Sequence, residues 1–278
     1  MTAPSEGLIV VSGASTGIGA ATAREFASRG HHVLAGVRSH QDADALRATH
    51  IEPVMLDITV GENVEALVSR IANDPQGRSL RTVINNAGIE INAPVEVLPL
   101  EVWKQQFEIN LFGHIRVIQA LLPALREGQG SVVNISSVGA ELTLPIYGAY
   151  AGSKAAFESA SDALRREVAS QGVQVVIIQP GGVKTPLAAK SGSLSLELAQ
   201  DMNAEHTRLY GALIASTVKF QSKFLQRAIT AEKAAVKIVK IATAKRPRTR
   251  YHLGPDAAFT LPLGRILPAR LIDRLVAR

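Results

Sequence analysis

The sequence predicts one α/β domain, built on a doubly wound parallel sheet of about seven strands with helices on both faces. Short apolar runs bounded by turn residues alternate with longer amphipathic segments, a pattern typical of buried parallel strands joined by crossover helices. The chain of 278 residues is long enough to bury a substantial core, and no linker divides it. We therefore expect residues 1–278 to form a single domain.

The apolar runs predict the strands, and the amphipathic stretches predict the helices. The predicted strands are residues 7–12, 32–37, 52–56, 81–85, 130–135, 173–178 and, short and late, 251–253. The predicted helices are residues 17–28, 41–49, 60–72, 100–126, 147–171 and 231–244. Thr59 and Glu62 have the spacing of a capping box, which predicts the start of the third helix.

Composition and charge exclude several classes of function. The chain has no cysteine, which rules out disulfides, cysteine-ligated metals and a thiol nucleophile. The formal net charge is +6, with a basic run at residues 245–250. That run has neither interleaved aromatic residues nor a binding motif, so we expect no nucleic-acid partner. The seven histidines show no metal-ligand spacing, so we expect no metal.

The sequence also bears on location in the cell. The first seven residues contain no basic segment and run straight into an apolar strand, so we expect no secretory signal. No apolar run is long enough to span a bilayer. We therefore expect a cytoplasmic protein.

A glycine-rich turn follows the first predicted strand and opens the first helix. It reads Gly13-Ala-Ser15-Thr16-Gly17-Ile18-Gly19. Glycines let the backbone turn tightly and approach a pyrophosphate, whose charge is stabilised by free N–H groups and by the helix dipole. A plain strand-to-helix turn is the alternative, because glycines occur there as well. The position of this glycine-rich turn, between the first predicted strand and the first predicted helix, predicts a dinucleotide site.

Residues at the next two strand ends bear on the choice of dinucleotide. Arg38 and Ser39 follow the second strand, where a cation suits the 2′-phosphate of NADP and an acidic residue would suit the 2′-hydroxyl of NAD. Asp57 follows the third strand and suits the adenine edge. A solvent-facing arginine and an aspartate that only starts a turn are the alternatives. The sequence favours NADP(H), with NAD(H) as the second option.

The stretch from residue 135 to residue 154 contains the candidate chemical groups. Tyr150 and Lys154 are four residues apart, so on a helix they share one face. A nearby ammonium favours the phenolate and lowers the pKa of a phenol from its reference value of about 10. Tyr150 could then exchange a proton with a substrate. Tyr147 lies one turn earlier, and we interpret it as pocket wall or packing.

Together these features resemble the short-chain dehydrogenase/reductase family over about the first 190 residues. In family order the motifs are the glycine turn, Asn85-Asn86-Ala87-Gly88, Asn110, Ser137, Tyr150-x-x-x-Lys154 and Pro180-Gly181. Ser137 precedes Tyr150 by thirteen positions, which is the family's spacing. Ser12 stands where the family usually has threonine and keeps the hydroxyl. The resemblance implies a Rossmann-type fold.

The resemblance also implies roles for individual residues. Tyr150 would be the general acid of carbonyl reduction, or the base in the reverse direction, and Ser137 would hydrogen-bond the substrate oxygen. Lys154 would bind the nicotinamide ribose and lower the pKa of Tyr150, and Asn110 would hold a water that relays protons. The implied cofactor contacts are Gly13, Ser15, Thr16, Gly17, Ile18, Gly19, Arg38, Ser39, Asp57, Ile58, Asn86, Ala87, Gly88, Tyr150, Lys154, Pro180, Gly181, Val183 and Thr185.

Within the family, residues 35–38, 137–139 and 180–185 resemble the 17-beta-hydroxysteroid and retinol dehydrogenase branch. That branch implies a bulky apolar alcohol or ketone that is steroid-, retinoid- or lipid-like. The insertion at residues 186–227 is large enough to form a lid over such a ligand, although apolar residues at helical spacing also fit ordinary core. The enzyme alternative is a 3-oxoacyl-carrier-type reductase, and the alternative outside enzymes is a non-catalytic dinucleotide sensor.

The last predicted element is an amphipathic helix at residues 264–277, with apolar positions on one face and arginines elsewhere. It would dock on its own domain or on a second subunit, with weak contact to a membrane surface as the alternative. The family resemblance implies a homodimer or homotetramer that pairs through the predicted helices 100–126 and 147–171.

Overall fold

A seven-stranded parallel sheet forms the centre of the computed structural model, which describes residues 7–254 and 267–276. The strands are β1 Gly7–Val11, β2 His32–Val37, β3 Ile51–Met55, β4 Ser79–Asn85, β5 Ser131–Ile135, β6 Gln174–Pro180, β7 Val183–Lys184, β8 Ile229–Thr230 and β9 Arg250–Leu253. Within the described residues the large sheet has the order β3-β2-β1-β4-β5-β6-β9, and the short β7 and β8 pair separately. This sheet confirms the predicted fold class.

The direction of the connections reverses between β1 and β4. From β1 the chain continues through β2 and β3 on one side, and β4, β5, β6 and β9 lie on the other side. Two neighbouring connections therefore leave the sheet in opposite directions, which opens a crevice at the carboxyl ends of β1 and β4. Doubly wound sheets bind ligands in such a crevice.

The helices cover both faces of the sheet. They are α1 Gly17–Ser28, α2 His40–Leu46, α3 Gly61–Ala72, α4 Leu100–Phe107, α5 His114–Glu127, α6 Gly148–Glu167, α7 Pro186–Gln200, α8 Ala204–Gln226, α9 Ala231–Ala242 and α10 Ala269–Val276. Among the helices of residues 7–254 and 267–276, none is both long and apolar enough to cross a membrane.

Each face of the sheet has its own hydrophobic core. Phe26 of α1 and Ile238 of α9 belong to the core on one face, and Leu67 of α3, Leu121 of α5 and Phe157 of α6 belong to the core on the other. Every residue of β1 is buried. Strands covered on both sides exclude water at every position, which explains why β1 reads as an unbroken apolar run.

The long helix predicted at residues 100–126 is interrupted. A π-helical turn at Glu108–Gly113 separates α4 from α5. Such a turn contains an extra residue and breaks the 3.6-residue period. It buries the side chain of Asn110, whose amide bonds to the backbone of Ile89. A tertiary contact therefore decides this irregularity, and the helical period alone could not predict it.

The ends of two other predicted helices need correction. Helix α6 ends at Glu167 rather than at residue 171. Helix α2 ends at Leu46 rather than at residue 49, because Ala48 pairs with Ile51 and His50 adopts a φ of 64°.

The predicted capping box of α3 is wrong. Val60 occupies the capping position, and the Thr59 hydroxyl instead donates to a carboxylate oxygen of Asp57 at 2.7 Å. The Thr59 N–H, which a capping box would pair with the Glu62 side chain, instead donates to the same carboxylate oxygen at 2.9 Å.

The insertion and the C-terminal segment are helical. Helices α7 and α8 span the insertion predicted at residues 186–227. Helix α10 lies within the helix predicted at residues 264–277, of which residues 264–266 and 277 lie outside the described part of the chain. Both segments therefore consist of α-helices in the described part of the chain.

The two cores predict where stability resides. We expect Leu121→Ala to lower the free energy of unfolding by about 2–5 kcal/mol, because this fully buried side chain would leave a cavity. Val236→Ala is the control, since Val236 of α9 is 46% exposed and its truncation should change stability by no more than about 0.5 kcal/mol. Urea unfolding of both variants measures the effect, and equal stability losses would contradict this account of the core.

Candidate active site

The glycine turn between β1 and α1 cannot accept side chains. Gly13 and Gly17 have positive φ angles of 62° and 56°. A Cβ on Gly19 would lie 2.2 Å from the carbonyl oxygen of Gly13 and 2.6 Å from the side-chain nitrogen of Asn86. The backbone is therefore closely packed at the glycine positions, where a side chain would be strained or would clash.

Ser12 and Asn86 connect the ends of β1 and β4. The buried Ser12 hydroxyl accepts hydrogen bonds from the backbone N–H groups of Asn86 at 3.0 Å and of Ala87 at 3.2 Å. In return, the Asn86 side-chain nitrogen donates to the carbonyl oxygens of Ser12 at 3.1 Å and Gly13 at 3.0 Å. We name these four hydrogen bonds the Ser12–Asn86 clamp. Asn86, predicted as a cofactor contact, thus also holds the glycine turn in place.

The first turn of α1 fits an anion. Thr16 occupies the capping position without a side-chain hydrogen bond to its helix, and the first turn contains no acidic residue. By contrast, Thr185 caps α7 through its hydroxyl, which accepts from the N–H of Ala188 at 3.2 Å. The free N–H groups and positive dipole end of α1, together with the bare glycine backbone, fit a dinucleotide diphosphate.

Arg38 and Asp57 lie at the carboxyl ends of the neighbouring strands β2 and β3. Arg38 is exposed. Burial raises the pKa of Asp57, but hydrogen bonds from the Thr59 hydroxyl and N–H, and the charges of Arg38 and Arg116, outweigh it and hold the pKa below its ordinary value. Asp57 is therefore ionised, and it attracts Arg38.

Ser39 and Ile58, two other predicted contacts at these strand ends, serve the protein's own structure. The Ser39 hydroxyl accepts from the N–H of Asp42 at 3.1 Å and donates to the Asp42 carboxylate at 2.7 Å, which caps α2. Ile58 is buried in the core, and its carbonyl oxygen accepts from Arg116 at 2.8 Å.

Lys154 is buried on α6 beneath the crevice. Only 4% of its surface is exposed, and its amine donates to the carbonyl oxygen of Ile135 at 3.0 Å. Burial lowers the pKa of Lys154 to about 8, although the carboxylates of Glu158 and Glu90 oppose this change. Near neutral pH the amine is therefore close to losing its proton.

Tyr150 lies on the same face of α6 and holds its proton firmly. Burial raises its pKa above the ordinary value, the charge of Glu90 raises it further, and the hydrogen bond with Ser137 lowers it. The sequence predicted the opposite direction because that prediction considered the charge of Lys154 but neither burial nor Glu90. The phenol is therefore protonated at neutral pH.

Ser137 and Ser136 point to different surroundings at the end of β5. The Ser137 hydroxyl, which bonds Tyr150, also accepts from the N–H of Gly139 at 3.1 Å. Ser136 donates instead to a carboxylate oxygen of Glu158 at 2.5 Å. Side chains alternate in direction along extended backbone, so only the second serine reaches Tyr150.

Asn110 lies behind these groups. Its side-chain oxygen accepts from the N–H of Ile89 at 2.9 Å, and its nitrogen donates to the Ile89 carbonyl at 2.9 Å and to Ser153 at 3.1 Å. A Cβ on Gly88 would lie 3.1 Å from the Asn110 side-chain oxygen and 3.8 Å from the Lys154 amine. Asn110 therefore positions the segment after β4, next to Lys154.

The crevice leads into a cavity of 530 Å³ with a polar floor and apolar walls. Predicted site residues that line it are Ile18, Asn86, Gly88, Ser137, Tyr150, Lys154, Pro180, Gly181, Val183 and Thr185. Helix α8 contributes apolar wall residues such as Leu213, Phe220 and Phe224. Leu267 and Ile272 also line the cavity, so the C-terminal segment packs on its own domain.

Sequence reasoning missed two carboxylates near the floor. Glu90 lines the cavity two residues after Gly88, and that position at a carboxyl-terminal strand end was the available signal. Glu158 is buried one turn after Lys154, where it forms a salt bridge with Arg250 at 2.9 Å. Its signal was the four-residue spacing from Lys154 on the same helix.

Comparison with known proteins gives consistent matches. The family model described as short chain dehydrogenase matches residues 7–194. The chain is 32% identical over 276 residues to the NADPH-dependent 3-dehydrocapnine reductase of Ornithobacterium rhinotracheale, with 96% of this chain and 94% of that protein covered. It is 33% identical over 277 residues to retinol dehydrogenase 16 of Homo sapiens, with 96% and 87% covered.

A solved structure extends the comparison to three dimensions. A short-chain dehydrogenase from Streptomyces avermitilis has a TM-score of 0.77 at 28% identity, with 99% of this chain and 95% of that chain covered. These matches confirm the resemblance that the motifs predicted, including the retinol dehydrogenase branch.

Burial of Lys154 predicts a pH dependence of stability. Between the folded pKa of about 8 and the ordinary value of 10.5, the unfolded chain holds a proton on this amine that the folded chain has lost. Raising the pH through that window therefore stabilises the folded state. Without added cofactor, we expect the unfolding free energy of the wild type minus that of Lys154→Met to rise by up to about 3 kcal/mol.

Denaturant titrations at pH 7.5, 9 and 10.5 measure this difference. Groups that titrate alike in both proteins cancel in the subtraction. A flat or falling difference would contradict the lowered pKa of Lys154.

Proposed function

This chain belongs to the short-chain dehydrogenase family, and we propose that it transfers hydride between NADP(H) and the carbonyl or alcohol group of an apolar substrate. As a member of that family it is an oxidoreductase acting on CH–OH or C=O groups. The observation that carries the finer proposal is the meeting of Tyr150 and Ser137 at the polar floor of an apolar cavity, beside Lys154 and the glycine turn.

In this proposal the side chains of the floor handle the proton. Tyr150 keeps its proton at neutral pH and donates it to the substrate oxygen, while Ser137 hydrogen-bonds the same oxygen and stabilises its developing charge. A bound nicotinamide supplies the hydride to the carbon, so a ketone becomes an alcohol. Loss of that proton leaves a phenolate on Tyr150, which is favoured by the Lys154 ammonium on the same helix face. Asn110 holds residues 88–90 against Lys154.

Several features support a dinucleotide in the crevice. Gly13, Gly17 and Gly19 would let its diphosphate approach the backbone at the uncapped start of α1. The residues that line the adjoining cavity and would hold the nicotinamide end are Ile18, Pro180, Gly181, Gly182, Val183 and Thr185. The remaining contacts implied by the family, Ser15, Thr16, Ala87 and Gly88, lie on the same turn or at the end of β4.

The charge at the end of β2 supports NADP(H) over NAD(H). Arg38 is an exposed cation where an acidic residue would bind an unmodified ribose. Its attraction to the ionised Asp57 holds positive charge near the adenosine end. A relative is named as an NADPH-dependent reductase, which agrees with this choice.

The cavity walls support an apolar substrate. Leu213, Phe220 and Phe224 of α8 line the cavity together with Leu142 and Leu144. A related protein is named retinol dehydrogenase, which implies a bulky apolar alcohol there. We propose that α7 and α8 form a lid over such a steroid-, retinoid- or lipid-like molecule.

An exposed apolar patch supports self-association. Leu100 of α4 and Phe112 of the π-helical turn are 62% and 52% exposed, and they line one shallow depression together with Trp103 and Phe107. Large exposed apolar side chains that cluster are typical of interfaces. We propose that α4 and α5 pair with a second copy of the chain.

A carbonyl panel tests the reaction. With NADPH and a panel of apolar ketones and aldehydes, we expect wild-type turnover and a fall in kcat of about 10²–10⁴ in Tyr150→Phe, since a positioned proton donor contributes that much. Tyr147→Phe is the matched control on the preceding turn and should retain most activity. No oxidation of NADPH by the wild type, with cofactor affinity intact in both variants, would instead favour a dinucleotide sensor.

Cofactor choice has its own test. We expect Arg38→Asp to weaken NADPH binding by about tenfold or more and to improve binding of NADH, because a carboxylate repels the 2′-phosphate and accepts from the 2′-hydroxyl. Arg47→Asp, an exposed arginine after α2, controls for net charge. Fluorescence titrations with both cofactors give the ratio, and a wild type that prefers NADH would overturn the assignment.

A further inference from the structure

Glu90 introduces a carboxylate into a mostly apolar cavity. Among the described residues that line this cavity, Glu90 is the one carboxylate and Lys154 the one ammonium group. None of the roles proposed above uses Glu90. Placing a charge in such surroundings is unfavourable unless it is paired, so its presence requires a reason.

The groups that contact Glu90 are neutral. The side-chain nitrogen of Asn92 donates to it at 2.9 Å, and the hydroxyls of Tyr147 and Ser191 hydrogen-bond it as well. The Lys154 amine, which donates to the carbonyl oxygen of Ile135, acts on Glu90 through its charge. Among the residues that the structure describes, Glu90 is therefore hydrogen-bonded without a cation in direct contact.

The charge of Glu90 acts against the proton donor. Burial raises the pKa of Glu90 itself, and its charge raises the pKa of both Tyr147 and Tyr150. A phenolate at Tyr150 is thus repelled by this carboxylate. A cation that arrived with the substrate would pair with Glu90, which would remove both the repulsion and the unfavourable burial.

We propose that Glu90 binds a protonated amine of the substrate, so that the preferred substrates are apolar amino ketones and the corresponding amino alcohols. This inference rests on the proposed carbonyl reduction, in which the amine is bound but not changed. Glu90 contacts Tyr147, whose ring centroid lies 6.5 Å from that of Tyr150. The amine site is therefore next to the proton donor, and it suits an amine on a carbon close to the carbonyl.

A purely structural role for Glu90 makes a different prediction. Ser191 is buried on α7 and accepts from Gln221 of α8 at 2.8 Å, so its contact with Glu90 joins the insertion to the segment after β4. If Glu90 only anchors α7, its charge has no effect on substrate choice. Removing the Ser191 hydroxyl would then have the same consequence as neutralising Glu90.

A binding experiment tests the charge without turnover. Decylamine and decan-1-ol are titrated by calorimetry, without cofactor, into the full-length wild type, Glu90→Gln and Ser191→Ala. We expect the wild type and Ser191→Ala to bind the amine about tenfold more tightly than the alcohol, and Glu90→Gln to lose this preference. Equal affinity of the wild type for the two ligands would overturn the inference, and that comparison needs no variant to fold.

A kinetic experiment extends the test to substrates. With NADPH, the ratio of kcat/KM for 2-aminododecan-3-one to that for dodecan-3-one should be about ten or more in the wild type and in Ser191→Ala, and near one in Glu90→Gln. A ratio that falls equally in Ser191→Ala would show that Glu90 acts as an anchor, which overturns the inference.

The two failures are distinguishable. If the wild type reduces dodecan-3-one but shows no preference for the amino ketone, the amine site is wrong and the proposed reaction stands. If the wild type binds decylamine selectively but reduces neither ketone, nor any compound of the carbonyl panel, the proposed reaction is wrong and the amine site stands.

Discussion

The Ser12–Asn86 clamp is the interaction on which the site depends. Strands β1 and β4 are neighbours, but the connections that follow them leave the sheet in opposite directions. The four hydrogen bonds of the clamp hold the ends of these two strands together. They hold the glycine turn against the segment after β4, and that segment contains Gly88 and Glu90. The dinucleotide crevice and the cavity floor therefore share one fixed boundary.

Burial sets the protonation of the floor as strongly as the neighbouring charges do. The pKa of Lys154 falls and the pKa of Tyr150 rises, so both side chains move toward their neutral forms. Neutral groups are cheaper to keep away from water than ions are. In the proposed reaction, negative charge arises on Tyr150 only when a substrate oxygen takes its proton, and the hydrogen bond with Ser137 is already in place.

The fold was largely predictable from the sequence. Strand positions follow from apolar runs such as that of β1, and the family and its branch follow from local motifs. Local patterns failed where a hydrogen bond outside the pattern decides the geometry. The π-helical turn depends on the bonds between Asn110 and Ile89, which lie 21 residues apart, so helical periodicity cannot show it. The missing capping box depends on Asp57, which lies two residues before Thr59 and bonds its hydroxyl and its N–H.

The placement of the candidate residues was predictable, but their environment was not. The four-residue spacing predicted that Tyr150 and Lys154 share a helix face, and the family resemblance selected Ser137, which hydrogen-bonds Tyr150 in the structure. The direction of the Tyr150 pKa shift was not accessible, since it depends on burial and on Glu90. Glu90 has no motif of its own, and its importance arises from the apolar walls around it, which come from distant parts of the chain.

The origin of those walls has a consequence for how new specificities arise. The floor comes from strand ends and α6, whereas much of the wall comes from α8 and from Leu267 and Ile272. Leu213, Phe220 and Leu267 are absent from both hydrophobic cores of the sheet. Substitutions in these segments can therefore reshape the cavity while the sheet and the proton donor stay intact. The segments that determine ligand recognition thus differ largely from those that determine folding stability. Selection for a new ligand can therefore change the first without changing the second.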